Sequence, residues 1–232
     1  MMDDTQAPRG ATADADGGTG GTDTVGALTE TRAVTLKLCA YALGYPDAWQ
    51  RENAAEALGI AQAHGLRWLA DALRVLGETD GVELEQAYVR AFDFVEAASL
   101  YLTAHEYGDD RKRGVALVEL RRMLAAGGFE EAVGELPDHV PLLLEFLALS
   151  SAQGADRTPQ QETDGLQGRL GTVMRAVGAH IPEVNVYHAV MAAALRELGW
   201  ETCAATEPSD ADAALRREQP DLEDLPYPVS YT

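Results

Sequence analysis

The side chains most capable of chemistry in this chain are five histidines, two cysteines and 38 carboxylates. Their spacing argues against bond-making. His64, His105, His139, His180 and His188 stand singly, and His105-Glu106 is not followed by the second His of a zinc helix. There is no Gly-x-Ser-x-Gly elbow, no Gly-x-Gly-x-x-Gly turn and no Cys-x-x-Cys pair. Gly108-Asp109-Asp110-Arg111-Lys112-Arg113-Gly114 is not a phosphate loop, and three bases amid acids do not make a nucleic-acid patch. The chain therefore reads as a non-enzyme with no metal site and no cofactor of its own.

What remains is recognition chemistry. Glu135, Pro137, Asp138 and His139 lie together just before the apolar run at residues 140–149. In one reading they are only a strong helix start. Asp138 caps the first turn, Pro141 occupies a position whose N–H has no internal partner, and His139 is a first-turn surface residue. In the other reading the same corner faces a ligand. Glu145 is the only charge on the helix that follows, which is apolar nearly all round and so expected to be central. A lone carboxylate there needs a neighbouring Arg or an opening into a groove. Tyr88, Phe92, Phe94, Tyr101 and Leu102 read mostly as core, with one or two surfacing as an apolar floor for a bound helix. Arg111 or Arg113 can pair with nearby carboxylates.

These residues need helices to position them. Ala and Leu dominate while β-branched and aromatic residues are sparse, so strands are poorly supplied. A helical pattern starts at Thr29 and stops at Gly44-Tyr45-Pro46. Asp47 with Gln50 resembles a capping box for a helix through His64. Leu69, Leu73 and Leu76, with Trp68, repeat helically over residues 66–76. Residues 82–94 and 97–105 read as two helical segments or one bent helix. Asp109 can cap a helix ending at Gly127-Gly128. Residues 153–165 read as a loop, followed by helices over 166–177 and 185–198. The expected fold is all-α, a single irregular helical bundle of about eight to ten helices spanning residues 27–204. An acidic tail at residues 1–26 and an acidic, proline-containing tail at 205–232 are expected to be disordered, the second with at most one loose turn.

The net charge of −20 is shared along the chain. Residues 1–26 hold five acids against one Arg, residues 201–232 eight acids against two, and the body 25 acids against 15 bases. Repulsion disfavours nucleic acid and stable association with an anionic membrane, whereas a basic partner is attracted. No window approaches the roughly 20 apolar residues of a membrane span. The polar, acidic start is not a secretory signal, and Cys39 and Cys203 are too isolated to suggest a disulfide framework. The expected location is the cytoplasm, with Cys39 packed as a small apolar residue.

Taken in order, Tyr88-Val89-Arg90-Ala91-Phe92-Asp93-Phe94, Ser99-Leu100-Tyr101-Leu102, the Gly108–Gly114 junction and Leu136-Pro137-Asp138-His139 resemble the nitrate reductase delta-subunit family, a NarJ-like branch of the TorD-type chaperones for molybdenum enzymes. The resemblance is dense over residues 88–147 and general elsewhere. It departs at Val95-Glu96-Ala97-Ala98, where relatives often carry basic residues. It implies a system-specific chaperone that binds the N-terminal segment of the catalytic (alpha) subunit of a respiratory nitrate reductase. That subunit would be held ready for molybdenum cofactor insertion before membrane docking, with transient contact to cofactor delivery proteins, and the chaperone would not join the finished enzyme. It also implies a leader-recognition role for Glu135, Pro137, Asp138 and His139. Phe92, Tyr101, Leu102 and Glu145 complete the expected peptide-binding set. Two alternatives stay open: a chaperone for another molybdenum reductase, and a carrier that itself binds the pterin cofactor or a nucleotide.

Overall fold

The computed structural model describes residues 20–129, 135–153 and 160–200. Ten α-helices occupy them: α1 (Gly20–Ala42), α2 (Ala48–Glu52), α3 (Ala54–Ala63), α4 (Arg67–Glu78), α5 (Gly81–Phe92), α6 (Leu102–Tyr107), α7 (Lys112–Ala126), α8 (Val140–Gln153), α9 (Gln160–His180) and α10 (Val186–Glu197). A 3-10 turn at Glu96–Ala98 lies between α5 and α6. Among the described residues there is no strand beyond one isolated bridge. The all-α class and the helix number agree with the sequence reading. No helix of these residues is long and apolar enough to cross a membrane.

Local chemistry explains most boundaries. Asp80 opens α5 by accepting from Val82 N (3.0 Å) and Glu83 N (3.4 Å). Asn185 opens α10, its Oδ1 accepting from Tyr187 N at 3.0 Å, while its Nδ2 donates to Ala87 O at 2.8 Å and ties α10 to α5. Asp47 accepts from Gln50 N at 2.8 Å, but the Gln50 side chain turns away to Tyr41 O and Gly44 O, so only half of the expected box forms. The single helix expected through His64 is broken at Asn53 into α2 and α3. At α7 the carboxylate that accepts from Lys112 N is Asp110 (2.9 Å), not Asp109. Gly128, at φ 85°, closes that helix as expected.

Three expectations need correction. The first helix reaches back to Gly20 rather than starting near Thr29, because extending an existing helix costs far less than nucleating one. Gln160–Gly165, read as loop, is the start of α9, where Glu162 suits the positive end of the helix dipole. Residues 97–105 are not one helix: Ser99 and Tyr101 are extended, and α6 begins only at Leu102. The remainder of the two tails, residues 154–159 and Cys203 lie outside the described residues.

The core runs through all the longer helices. α1 packs along α8, α4 against α3 and α10. Leu143, Leu144, Phe146 and Leu147 of α8 are essentially inaccessible, as are Leu36 of α1, Leu43 just after it, and Leu69 and Leu73 of α4. Each such side chain contributes about 1.5–3 kcal/mol by leaving water. Trp68 sits at the edge instead, with the Arg196 guanidinium 4.5 Å from its ring. Cys39 is wholly buried, and burial pushes its thiol pKa far above the ordinary range, so it packs as an apolar residue.

Candidate functional site

The corner formed by residues 99–102 and 138–140 is a two-residue antiparallel bridge, the only one among the described residues. Leu102 N donates to Asp138 O (2.9 Å) and Val140 N to Leu100 O (2.8 Å). That pattern makes Tyr101 and His139 a directly opposed, non-hydrogen-bonded pair, the closer of the two antiparallel arrangements. Side chains alternate accordingly. Leu100, Leu102, Asp138 and Val140 point into the protein, while Tyr101 and His139 turn outward with ring centroids 5.3 Å apart.

Those two rings border a cleft of about 480 Å³. Tyr88, Phe92, Asp93, Phe94, Val95, Glu96, Ser99 and Leu100 complete its lining. The floor is stiffened from behind: Tyr88, Phe92 and Tyr187 meet edge to face at 4.9–5.3 Å, and Tyr45 packs 5.2 Å from Tyr88. Such pairs contribute roughly 0.5–1.5 kcal/mol each beyond burial. Phe94 forms the open edge, 65% exposed. His105 Nε2 contacts Ser99 O at 2.7 Å, and a bidentate Arg169–Glu106 pair (2.7 Å for both bonds) ties α6 to α9.

Electrostatically the cleft is acidic. Tyr101 donates its hydroxyl to Glu135 Oε1 at 3.2 Å. Burial first, then the charge of Glu135 and that hydrogen bond, push the Tyr101 pKa upward. His139 Nδ1 lies 3.7 Å from Glu135 Oε2. Burial lowers the His139 pKa and outweighs the opposite pull of Glu135 and Asp138. The imidazole is therefore neutral near pH 7, and its contact with Glu135 is not an ion pair at rest. Asp93 and Glu96 in the lining, with Glu135 bonded to Tyr101, give the cleft negative charge, and no Lys or Arg lines it.

The expected site residues divide into three groups. Phe92, Tyr101 and His139 line the cleft, with Glu135 bonded to Tyr101. Pro137, Leu102 and Asp138 are buried and do not line it; Leu102 and Asp138 have no exposed surface, so neither can touch a ligand there. Asp138 also does not cap its own helix. Its Oδ2 accepts from Thr103 N (3.1 Å) and from the Thr103 hydroxyl, and so caps the first turn of α6. Glu145 stands apart. It is exposed on α8, away from the cleft lining, and makes no ion pair among the described residues. With Leu142 and Leu149 it forms a partly open stripe, so α8 is not enclosed on every side. The bends at Val95–Tyr101 brought in Asp93, Val95 and Glu96, which periodicity did not single out.

The sequence model of the nitrate reductase delta subunit family matches residues 55–181. The chain belongs to that family. The NarJ nitrate reductase molybdenum cofactor assembly chaperone of Escherichia coli strain K12 is 31% identical over 168 residues, covering 68% of this chain and 66% of that protein. A NarJ protein of Bacillus subtilis is 31% identical over 131 residues, covering 55% of this chain and 71% of the relative. A crystal structure of a redox enzyme maturation protein from Archaeoglobus fulgidus shares the fold, with a TM-score of 0.55 at 20% identity over 72% of this chain and 93% of that one. The family match runs from α3 to the end of α9, and so includes every segment that borders the cleft. In this member of the delta subunit family the stretch after Phe94 offers Glu96 to the cleft wall.

Proposed function

We propose that this protein is a cytoplasmic, system-specific chaperone for a nitrate reductase. It binds the N-terminal segment of the apo catalytic subunit, holds that subunit ready for molybdenum cofactor insertion, and leaves before or as the complex docks at the membrane. The relatives' assembly role supports the general reading. The observation that carries the finer one is the cleft between Tyr101–His139 and Phe92–Phe94: apolar at its floor, acidic at its rim, and set on a stiff aromatic base.

Such a cleft suits an amphipathic, partly basic helix. A volume of about 480 Å³ admits a few side chains rather than the full 10–12 Å width of a helix. The ligand helix therefore lies across the opening and inserts apolar anchors toward Phe92 and Phe94. Their burial, at about 25 cal/mol per Å², supplies most of the affinity. Glu135, Asp93 and Glu96 meet the basic side chains and act chiefly on association rate and selectivity. While bound, the client's N-terminus is unavailable to any other partner, which orders cofactor loading before docking.

The direct test is calorimetric titration with a synthetic peptide of the N-terminal residues of a nitrate reductase catalytic subunit. Saturable binding at micromolar concentration is expected. An absence of binding heat, with no competition in a fluorescence assay, overturns the groove reading.

A further inference from the structure

The cleft depends on a carboxylate that never reaches it. Asp138 has no exposed surface, and its Oδ1 accepts no hydrogen bond among the described residues. Its Oδ2 takes the amide and hydroxyl of Thr103, and the Arg113 guanidinium stands 3.9 Å from that oxygen. Arg113 also donates its Nε to Thr103 Oγ1 at 3.2 Å. It is the one cation within ion-pair distance of Asp138 among the described residues, and neither Arg113, Thr103 nor Asp138 lines the cleft.

A buried carboxylate without a counter-charge is costly, and besides taking up a proton it is relieved by turning toward water. Asp138 cannot turn alone. Along an extended segment neighbouring side chains take opposite sides, so bringing residue 138 outward carries residue 139 inward. It would also break the two backbone bonds to Leu102 and Leu100 that set His139 against Tyr101. We propose that Arg113 is a positioning residue for the cleft: by holding Asp138 and Thr103 inward, it keeps Tyr101 and His139 paired at the cleft wall. The inference rests on the cleft being the peptide site.

The test uses the full-length chain and two readouts. One is the nuclear Overhauser contact between the Tyr101 and His139 rings in the free protein. The other is the affinity for the synthetic client peptide described above. Arg113→Ala is expected to lose the ring contact and weaken the peptide about tenfold, as follows if roughly a tenth of the molecules keep the competent arrangement. Arg111→Ala, an exposed cation two residues earlier, is expected to change neither. Arg113→Lys, which returns the charge without the guanidinium fork, recovers part of both. An unchanged ring contact and affinity in folded Arg113→Ala overturns the proposal, as does an equal loss in Arg111→Ala. Should Arg113→Ala not fold, Thr103→Val removes the hydroxyl that Arg113 and Asp138 share, and retention of contact and affinity there is equally decisive against it. If the peptide does not bind wild-type protein, the groove reading fails while the ring contact still decides the positioning role.

Discussion

Tyr101 and His139 are the directly opposed pair of a two-residue antiparallel bridge, their ring centroids 5.3 Å apart and tilted by 37°. Nothing else in the described residues joins segments in this way, and the bridge sets two polar-tipped rings at the entrance of an apolar cleft. Glu135 contacts both, accepting from the Tyr101 hydroxyl and lying beside the neutral imidazole. The arrangement is made by backbone pairing, so its tolerance to substitution differs sharply between the residues that show in the cleft and those that hold it.

Asp138 belongs to the second kind. Asp138→Ala removes the cap on α6 and leaves the Thr103 hydroxyl and the Arg113 charge without their acceptor. A loss of about 2–4 kcal/mol is expected, given the cost of unpaired buried polar groups and broken buried charge pairs. Asp138→Asn keeps an acceptor and should cost less. Urea unfolding of both variants measures the difference; equal stability of Asp138→Ala and wild type would contradict the buried-cap assignment.

Leu102 and Phe94 are expected to separate stability from binding. Leu102 is wholly buried, and Leu102→Ala should destabilise by roughly 2–5 kcal/mol through lost transfer energy and the cavity left behind. Phe94 is largely exposed, and Phe94→Ala should stay within about 0.5 kcal/mol in stability. Its peptide affinity should nevertheless fall by roughly 1–3 kcal/mol, the range of an aromatic anchor. Thermal unfolding and calorimetry on the two variants give a crossed pattern if the cleft is the binding surface.

His139 predicts a pH dependence with a definite sign. Burial lowers its folded pKa below the ordinary value near 6.5, so in acid the unfolded chain takes up the proton first. Its favourable contribution is therefore fully present above the unfolded pKa and is lost as pH falls through the lower folded value. Melting temperatures of wild type and His139→Gln, compared from about pH 8 to about pH 5, should show a steeper acid loss in wild type. Parallel curves would remove His139 from the account.

Glu145 should be silent in both assays. It is exposed, outside the cleft lining and without an ion pair among the described residues, so Glu145→Gln is expected to change stability by no more than about 0.5 kcal/mol and to leave peptide affinity unaltered. Weaker binding with unchanged melting would instead place part of the ligand along the Leu142–Glu145–Leu149 stripe.

The amino-acid sequence by itself determined that this chain is helical and where most helices lie. Those properties are local. Apolar spacing reports which face of a helix leaves water, as with Leu69, Leu73 and Leu76 in α4, and Asp80 and Asn185 satisfy amides only two or three residues away. Only the tertiary structure decided which side chains meet at the cleft. The partner of Asp138 is 35 residues distant at Thr103, so a side chain that reads as a cap for its own helix serves another. Glu145 reads as enclosed because its neighbours in sequence are apolar, yet no element covers that stripe among the described residues. Leu102 and Tyr101 are adjacent and similarly apolar, but a single step along an extended backbone sends one into the core and the other to the cleft. Periodicity records how much of an element is buried; which surface it meets depends on contacts between segments far apart in the chain.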